Sequence, residues 1–72
     1  MEHPLYSPVD GRELKGRREA AGVSLDAMAP RTKRSRQALA RWEQNPTLPY
    51  LKARKYLDAL TAVVEAETQT IP

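Results

Sequence analysis

Apolar residues recur at helical spacing along nearly the whole chain, and no stretch alternates with the period of a strand. The longest regular run, roughly 48–65, carries a stripe of Leu57, Leu60 and Val64, flanked by Leu51, Ala53, Tyr56 and Val63. Thr47 is placed to cap it, and Pro49 falls in the first turn, where a missing N–H costs little. The run 36–43 follows Ser35, a good N-cap. At about 100° per residue, Arg36, Gln37, Ala40 and Arg41 share one arc of it, and Ala38, Leu39 and Trp42 share the opposite one. Gln44-Asn45-Pro46 ends that run, Asn tolerating the left-handed region and Pro blocking continuation. A run over 11–21 is opened by Asp10, which has capping-box spacing to Glu13. Gly22 stops it, and Leu14, Arg18 and Ala21 lie on one face. Ser24 caps a shorter run with Leu25, Met28 and Ala29 as apolar positions and Asp26 at the positive end of the dipole. Pro30 removes a donor and disfavours the α region at Ala29. The pattern therefore predicts a helix that is short or distorted near 29–31, then a turn at Thr32-Lys33-Arg34. The expectation is an all-α domain, compact, of four or five helices, over 10–65. An extended arm, 1–9, would precede it, with Leu5, Tyr6 and Val9 available to fold back, and a frayed tail, 66–72, would follow.

Composition narrows what such a domain can do. Seventy-two residues allow one domain with a modest core. There is no Cys, so disulfides and thiolate metal sites are excluded, and a single His3 cannot make a metal site alone. No apolar run approaches the roughly 20 residues that span a membrane, and the N-terminus lacks the apolar segment of a signal peptide. A cytoplasmic protein is the expectation. With one Trp, three Tyr and no Phe, an enzyme pocket would be hard to enclose, and oligomerisation would aid stability. Carboxylates are scattered, and Ser7, Ser24 and Ser35 are explained by turns and caps. No enzyme activity, cofactor or small-molecule ligand is expected.

Charge points elsewhere. The net charge is +3 and the isoelectric point about 9.6, which favours a polyanionic partner. Five of the twelve basic residues lie in Arg31–Trp42, a stretch with no acid before Glu43. The outer arc of its helix offers two guanidiniums and an amide, with Ala40 between them letting a surface come close. Arg and Gln are suited to bidentate contacts with guanine and adenine edges in a major groove, so Arg36, Gln37 and Arg41 are the candidate base-reading residues. Arg31, Lys33, Arg34 and Asn45 are candidate phosphate contacts, which set register and affinity but carry little sequence information. Lys52, Arg54 and Lys55 are weaker candidates. Lys15, Arg17 and Arg18 read as a solvated face beside Glu13 and Glu19. Trp42, Met28 and Leu39 read as core.

At Leu14-Lys-Gly-Arg-Arg-Glu-Ala-Ala-Gly-Val-Ser24 and again at Ser35-Arg-Gln-Ala-Leu-Ala-Arg-Trp-Glu43 the chain resembles the phage-repressor (Cro-like, XRE) helix-turn-helix family. The resemblance runs without a gap from Leu14 to Glu43 and loosely on to Leu60. It implies that the third helix enters the major groove and that Arg36, Gln37 and Arg41 read bases. It implies an ion pair between Arg18 and Glu43, and a phosphate held at the helix start by Ser24, with Ser35 adding a second such contact. Several residues depart from the family pattern. Leu25 stands where Gln is common, Lys33 where the turn has Gly, and Arg34 where a buried Val or Ile is usual. Thr32 and Arg17 replace apolar residues. Either the turn is rebuilt to aim two extra cations at the DNA backbone, or the motif no longer docks in the usual pose. Five bases without an acid favour the first.

The sequence thus leads to a sequence-specific regulator of transcription that binds double-stranded DNA, most simply a small Cro-like repressor. It would bind as a homodimer on a near-palindromic operator, with recognition helices about 34 Å apart. Leu60, Val63 and Val64 are candidates for the dimer contact. The alternatives are an antitoxin or recombination-directionality factor of the same fold, or a protein-interaction module whose basic face docks an acidic partner.

Overall fold

The computed structural model describes residues 7–69, which form four α-helices: α1, Gly11–Ala20; α2, Leu25–Thr32; α3, Arg36–Gln44; and α4, Tyr50–Gln69. His3, Leu5, Tyr6 and the chain end beyond Gln69 lie outside the described residues. The fold is all-α, as the periodicity predicts.

The caps explain where the first three helices begin and end. The Asp10 carboxylate accepts from the Arg12 amide at 2.9 Å, and it also takes the Arg12 guanidinium, at 2.8 Å from Nη2. Those bonds to the charged form hold the Asp10 carboxyl below its usual pKa. Gly22 adopts φ 72°. It lets the Gly22 amide reach the Glu19 carbonyl at 3.0 Å and the Val23 amide reach the Arg18 carbonyl at 3.1 Å. Two orphan carbonyls of α1 are thereby satisfied in a Schellman closure. Ser24 and Ser35 each accept at Oγ, at 3.1 Å, from the amide three residues on, Ala27 and Ala38.

α2 is short, as expected, with eight residues, but Pro30 does not push Ala29 out of the helix, which continues through the proline to Thr32. Pro30 is exposed, and the carbonyl that its missing N–H would have bonded belongs to Asp26, itself an exposed residue. The Thr32 hydroxyl stitches the last turn by donating to the Met28 and Ala29 carbonyls at 3.2 Å. Thr32 is buried, so a hydroxyl with an internal acceptor substitutes for the apolar residue usual there.

The α3–α4 connection also differs. Asn45 is extended (φ −87°, ψ 112°), not left-handed, because the following Pro46 disfavours other backbone states. Its Oδ1 accepts from both the amide (2.9 Å) and the hydroxyl (3.2 Å) of Thr47. Thr47 is therefore committed backwards and does not cap α4, which starts two residues later than expected, after Pro49. Between these two residues, Leu48 is buried and pairs with Val9 through two reciprocal amide–carbonyl bonds of 2.8 Å. Val9 thus does fold back onto the body.

α1 packs on α3 and α4, and α2 packs on the same two helices. The core between them is Leu14, Val23, Met28, Leu39, Trp42, Leu48, Ala53, Tyr56, Ala59, Leu60 and Val63. The buried face of α4 is rotated from the expected stripe. Tyr56, Leu60 and Val63 point inward, Leu57 is half-buried, and Val64 is 36% exposed. Two of the candidate dimer residues, Leu60 and Val63, are consequently spent on the chain's own core and unavailable to a partner. The helix also runs to Gln69, beyond the point where fraying was expected.

One glycine is required by close approach. The Gly11 amide donates to the Asn45 carbonyl at 2.8 Å, and a Cβ at Gly11 would lie 1.9 Å from the Trp42 carbonyl oxygen. The start of α1 therefore abuts the end of α3, fixing where α3 sits.

Candidate functional site

α3 is held from its inner side by a polar knot as well as by Leu39 and Trp42. Glu43 is 4% exposed. It accepts from Arg18 Nε at 2.7 Å and Nη2 at 3.3 Å, in the fork geometry that suits guanidinium and carboxylate. Arg18 Nη1 also donates to the Val23 carbonyl at 2.8 Å, and the Tyr56 hydroxyl donates to Glu43 Oε2. The pair implied by the resemblance is thus present, and Tyr56 completes it. Burial, the hydrogen bond to Glu43 and the charge of Glu43 push the Tyr56 hydroxyl well above its ordinary pKa, against the opposing pull of Arg18. Glu43 raises the Arg18 guanidinium further. The knot ties α1, α3 and α4 together at one point. Sequence reading missed Tyr56, although a Tyr within an apolar stripe calls for a polar partner at its hydroxyl.

The outer side of α3 is the reverse. Arg36, Gln37 and Arg41 are all exposed and share the arc opposite Leu39 and Trp42, with half-buried Ala40 between them. Arg36 Nη1 lies 3.4 Å from Asp26 Oδ1, both side chains well exposed. The acid missing from the basic stretch therefore comes from α2. Such an exposed pair contributes little and leaves the guanidinium free to exchange partners.

The turn keeps its tight form without glycine. Lys33 takes the left-handed conformation itself (φ 59°, ψ 32°), and its amide closes on the Ala29 carbonyl. The Arg34 amide bonds Thr32 Oγ1 and the Ala29 carbonyl, each at 3.3 Å. With its side chain outside the core, Arg34 sets its guanidinium 5.9 Å from the centre of the Trp42 ring. Lys52, from the first turn of α4, places its ammonium 5.9 Å from the same ring. Both are within cation–π range, so Trp42 is covered by two cations while its body is buried. A cleft of about 300 Å³ beside it is lined by Ala38, Arg41, Trp42, Asn45, Leu48 and Lys52.

The candidate residues thus divide. Arg36, Gln37 and Arg41 belong to α3, Lys33 and Arg34 to the turn before it, and Lys52 to the first turn of α4, against Trp42. Ser24 and Ser35 spend their hydroxyls on caps, which leaves the first amides of α2 and α3 as the donors at those ends. Asn45 is half-buried and engaged with Thr47. Arg31 is not with this set. It lines a separate groove between α2 and α4 with Arg54 and Lys55. Among the described residues no cluster of His, Cys, Asp and Glu could hold a metal ion, and no helix is long and apolar enough to cross a membrane. Comparison with protein-family models, with curated proteins and with solved structures found no match to this chain.

Proposed function

We propose that the chain is a sequence-specific double-stranded DNA-binding regulator that inserts α3 into the major groove. The observation that carries this reading is the division of α3 into two faces. One face is locked into the core by Leu39, Trp42 and Glu43, and the other presents Arg36, Gln37 and Arg41 to solvent. A rigid helix with two guanidiniums and an amide on one arc matches what base edges demand of a reader. Lys33 and Arg34, in the turn before α3, and Lys52, in the first turn of α4, are suited to grip the phosphates that border a groove. The resemblance to the phage-repressor family leads to the same residues and favours a small repressor acting by occupying a promoter.

The test is a binding titration on random duplex DNA and on a selected-site pool, at two salt concentrations. Steep salt dependence and an enriched, near-symmetric site are expected. In the same assay Arg41→Ala should cost about 1–3 kcal/mol on the selected site and relax its base preference. Equal losses on selected and random DNA would make Arg41 a phosphate contact. No binding at low salt would overturn the proposal.

A further inference from the structure

The groove between α2 and α4 is left over by the reading above. It has a volume of about 400 Å³ and is lined by Arg31, Leu51, Arg54, Lys55, Asp58 and Ala62, among others. Leu51 is 74% exposed, a large apolar side chain left open to solvent among the described residues. On the α4 wheel, Leu51, Lys55, Asp58 and Ala62 recur at intervals of three and four residues, and Glu65 and Ala66 follow Ala62 by three and four. They form one stripe along the helix, next to the face buried in the core. Lys55 and Glu65 have no ion pair among the described residues, although they carry opposite charge on this one stripe.

The charges of α4 are also divided by position. Lys52, Arg54 and Lys55 lie in its first turns, and Asp58, Glu65 and Glu67 follow. A helix with a basic start and an acidic end is complementary to an antiparallel copy of itself. The helix dipoles are then antiparallel as well.

We propose that this stripe is an interface between two copies of the chain, with α4 packed antiparallel on α4 of the second copy about a two-fold axis at the level of residue 60 along the helix. That centre lies midway between Lys55 and Glu65, and equally midway between Asp58 and Ala62. Each Lys55 therefore meets the other copy's Glu65 at both ends of the contact. Ala62, small enough to let the backbones approach, faces Asp58 in the middle. Leu51 of each copy lies opposite position 69, in the last turn of the other. Moving the centre to residue 58 would set Asp58 against its own copy, a like-charge contact that selects against that register. The interface is isologous, so every residue acts twice. It replaces Leu60 and Val63, which the core consumes. The contact has few apolar residues and rests on exposed charges, so the dimer is weak and salt-sensitive.

The experiment is sedimentation equilibrium of the full chain without DNA, over a range of protein concentrations and at two ionic strengths. A reversible monomer–dimer equilibrium that weakens with salt is expected. Lys55→Glu and Glu65→Lys should each weaken association about tenfold, because each converts two attractive pairs into two repulsive ones. The double variant should restore it. Both side chains are exposed, so helicity by circular dichroism should not change in any of the three. A monomer at all concentrations, single reversals with no effect, or a double variant that stays as weak as the singles would each overturn the proposal. The measurement contains no DNA, so a failure of the DNA-binding reading would leave its outcome untouched.

Discussion

The inner and outer faces of α3 use the same chemistry to opposite ends. Arg18 meets the inner face and Arg41 stands on the outer one. Arg18 is held by three hydrogen bonds to Glu43 and the Val23 carbonyl, and its side chain is 11% exposed. Arg41 is exposed, with no hydrogen bond or ion pair among the described residues. A buried guanidinium must have its donors satisfied, because the protein has removed its water. A guanidinium kept in water need not, and it can exchange that water for a ligand. Inside, charge fixes the position of the helix; outside, it is held ready. Charge on a helix therefore says little about role until its partners are known.

The largest expected effect that tests this contrast is Glu43→Ala. It would leave Arg18 desolvated without its carboxylate and Tyr56 without its acceptor. Removing one member of a buried pair costs on the order of 3–5 kcal/mol, a large share of the stability of so small a domain. Chemical denaturation of the variant should show a loss of that size, whereas Arg41→Ala should fall within about 0.5 kcal/mol of the parent, as surface substitutions do. Similar losses for the two would erase the distinction between the faces.

Tyr56→Phe sharpens the comparison at intermediate size. The ring remains and only the donor to Glu43 goes, while Glu43 Oε2 keeps Arg18 Nε, so a cost of about 1.5–3 kcal/mol is expected from losing one hydrogen bond to a charged acceptor. The pH dependence gives a second readout. The ordinary tyrosine value is 10.0, and the folded-state value lies above it. The folded state therefore favours the neutral phenol. The stability tied to that preference is fully present below about pH 10 and is lost as pH rises from there toward the folded value. The parent should lose stability more steeply with rising pH above 10 than Tyr56→Phe does, measured by denaturant midpoints at matched ionic strength. Parallel curves would mean that the hydroxyl titrates as freely as an exposed one.

These contrasts also separate what was legible in the sequence from what was not. Asp10, Ser24, Ser35 and Gly22 could be read directly, because capping is local and uses few residue types. The two arcs of α3 could be read because its apolar residues are confined to one side. α4 could not be oriented in the same way. Leu51, Leu57 and Val64 surround it with apolar residues, while alanines supply part of its true core face. Only the packing of α1 and α2 decides which side is buried. Pro30 misled because the helix continues where the lost bond falls on the carbonyl of an exposed residue. Thr47 misled because Asn45 captured it first. Gly11 carried no sequence signal of its role, since the carbonyls it abuts lie more than 30 residues away. The outer face of α3 was legible as a surface, and its partner remains the subject of the proposal.

The smallest effect probes the turn that joins the two regions. Lys33 holds a left-handed backbone that glycine adopts without penalty, at a cost of about 1–2 kcal/mol for a residue with a Cβ. Glycine gives back part of this through the greater freedom of its unfolded chain. Lys33→Gly should therefore raise stability by about 0.5–1 kcal/mol while removing a cation from the rim of α3. If Lys33 serves the outer face, the more stable variant should bind duplex DNA more weakly, and equally so on selected and random sequences. Lys33→Ala removes the same charge but keeps the strain, so it should match the loss of binding without the gain in stability. A variant that gains stability with binding unchanged would place Lys33 among the residues that only shape the turn. A selective loss on the selected site would move it to the base-reading set with Arg36, Gln37 and Arg41.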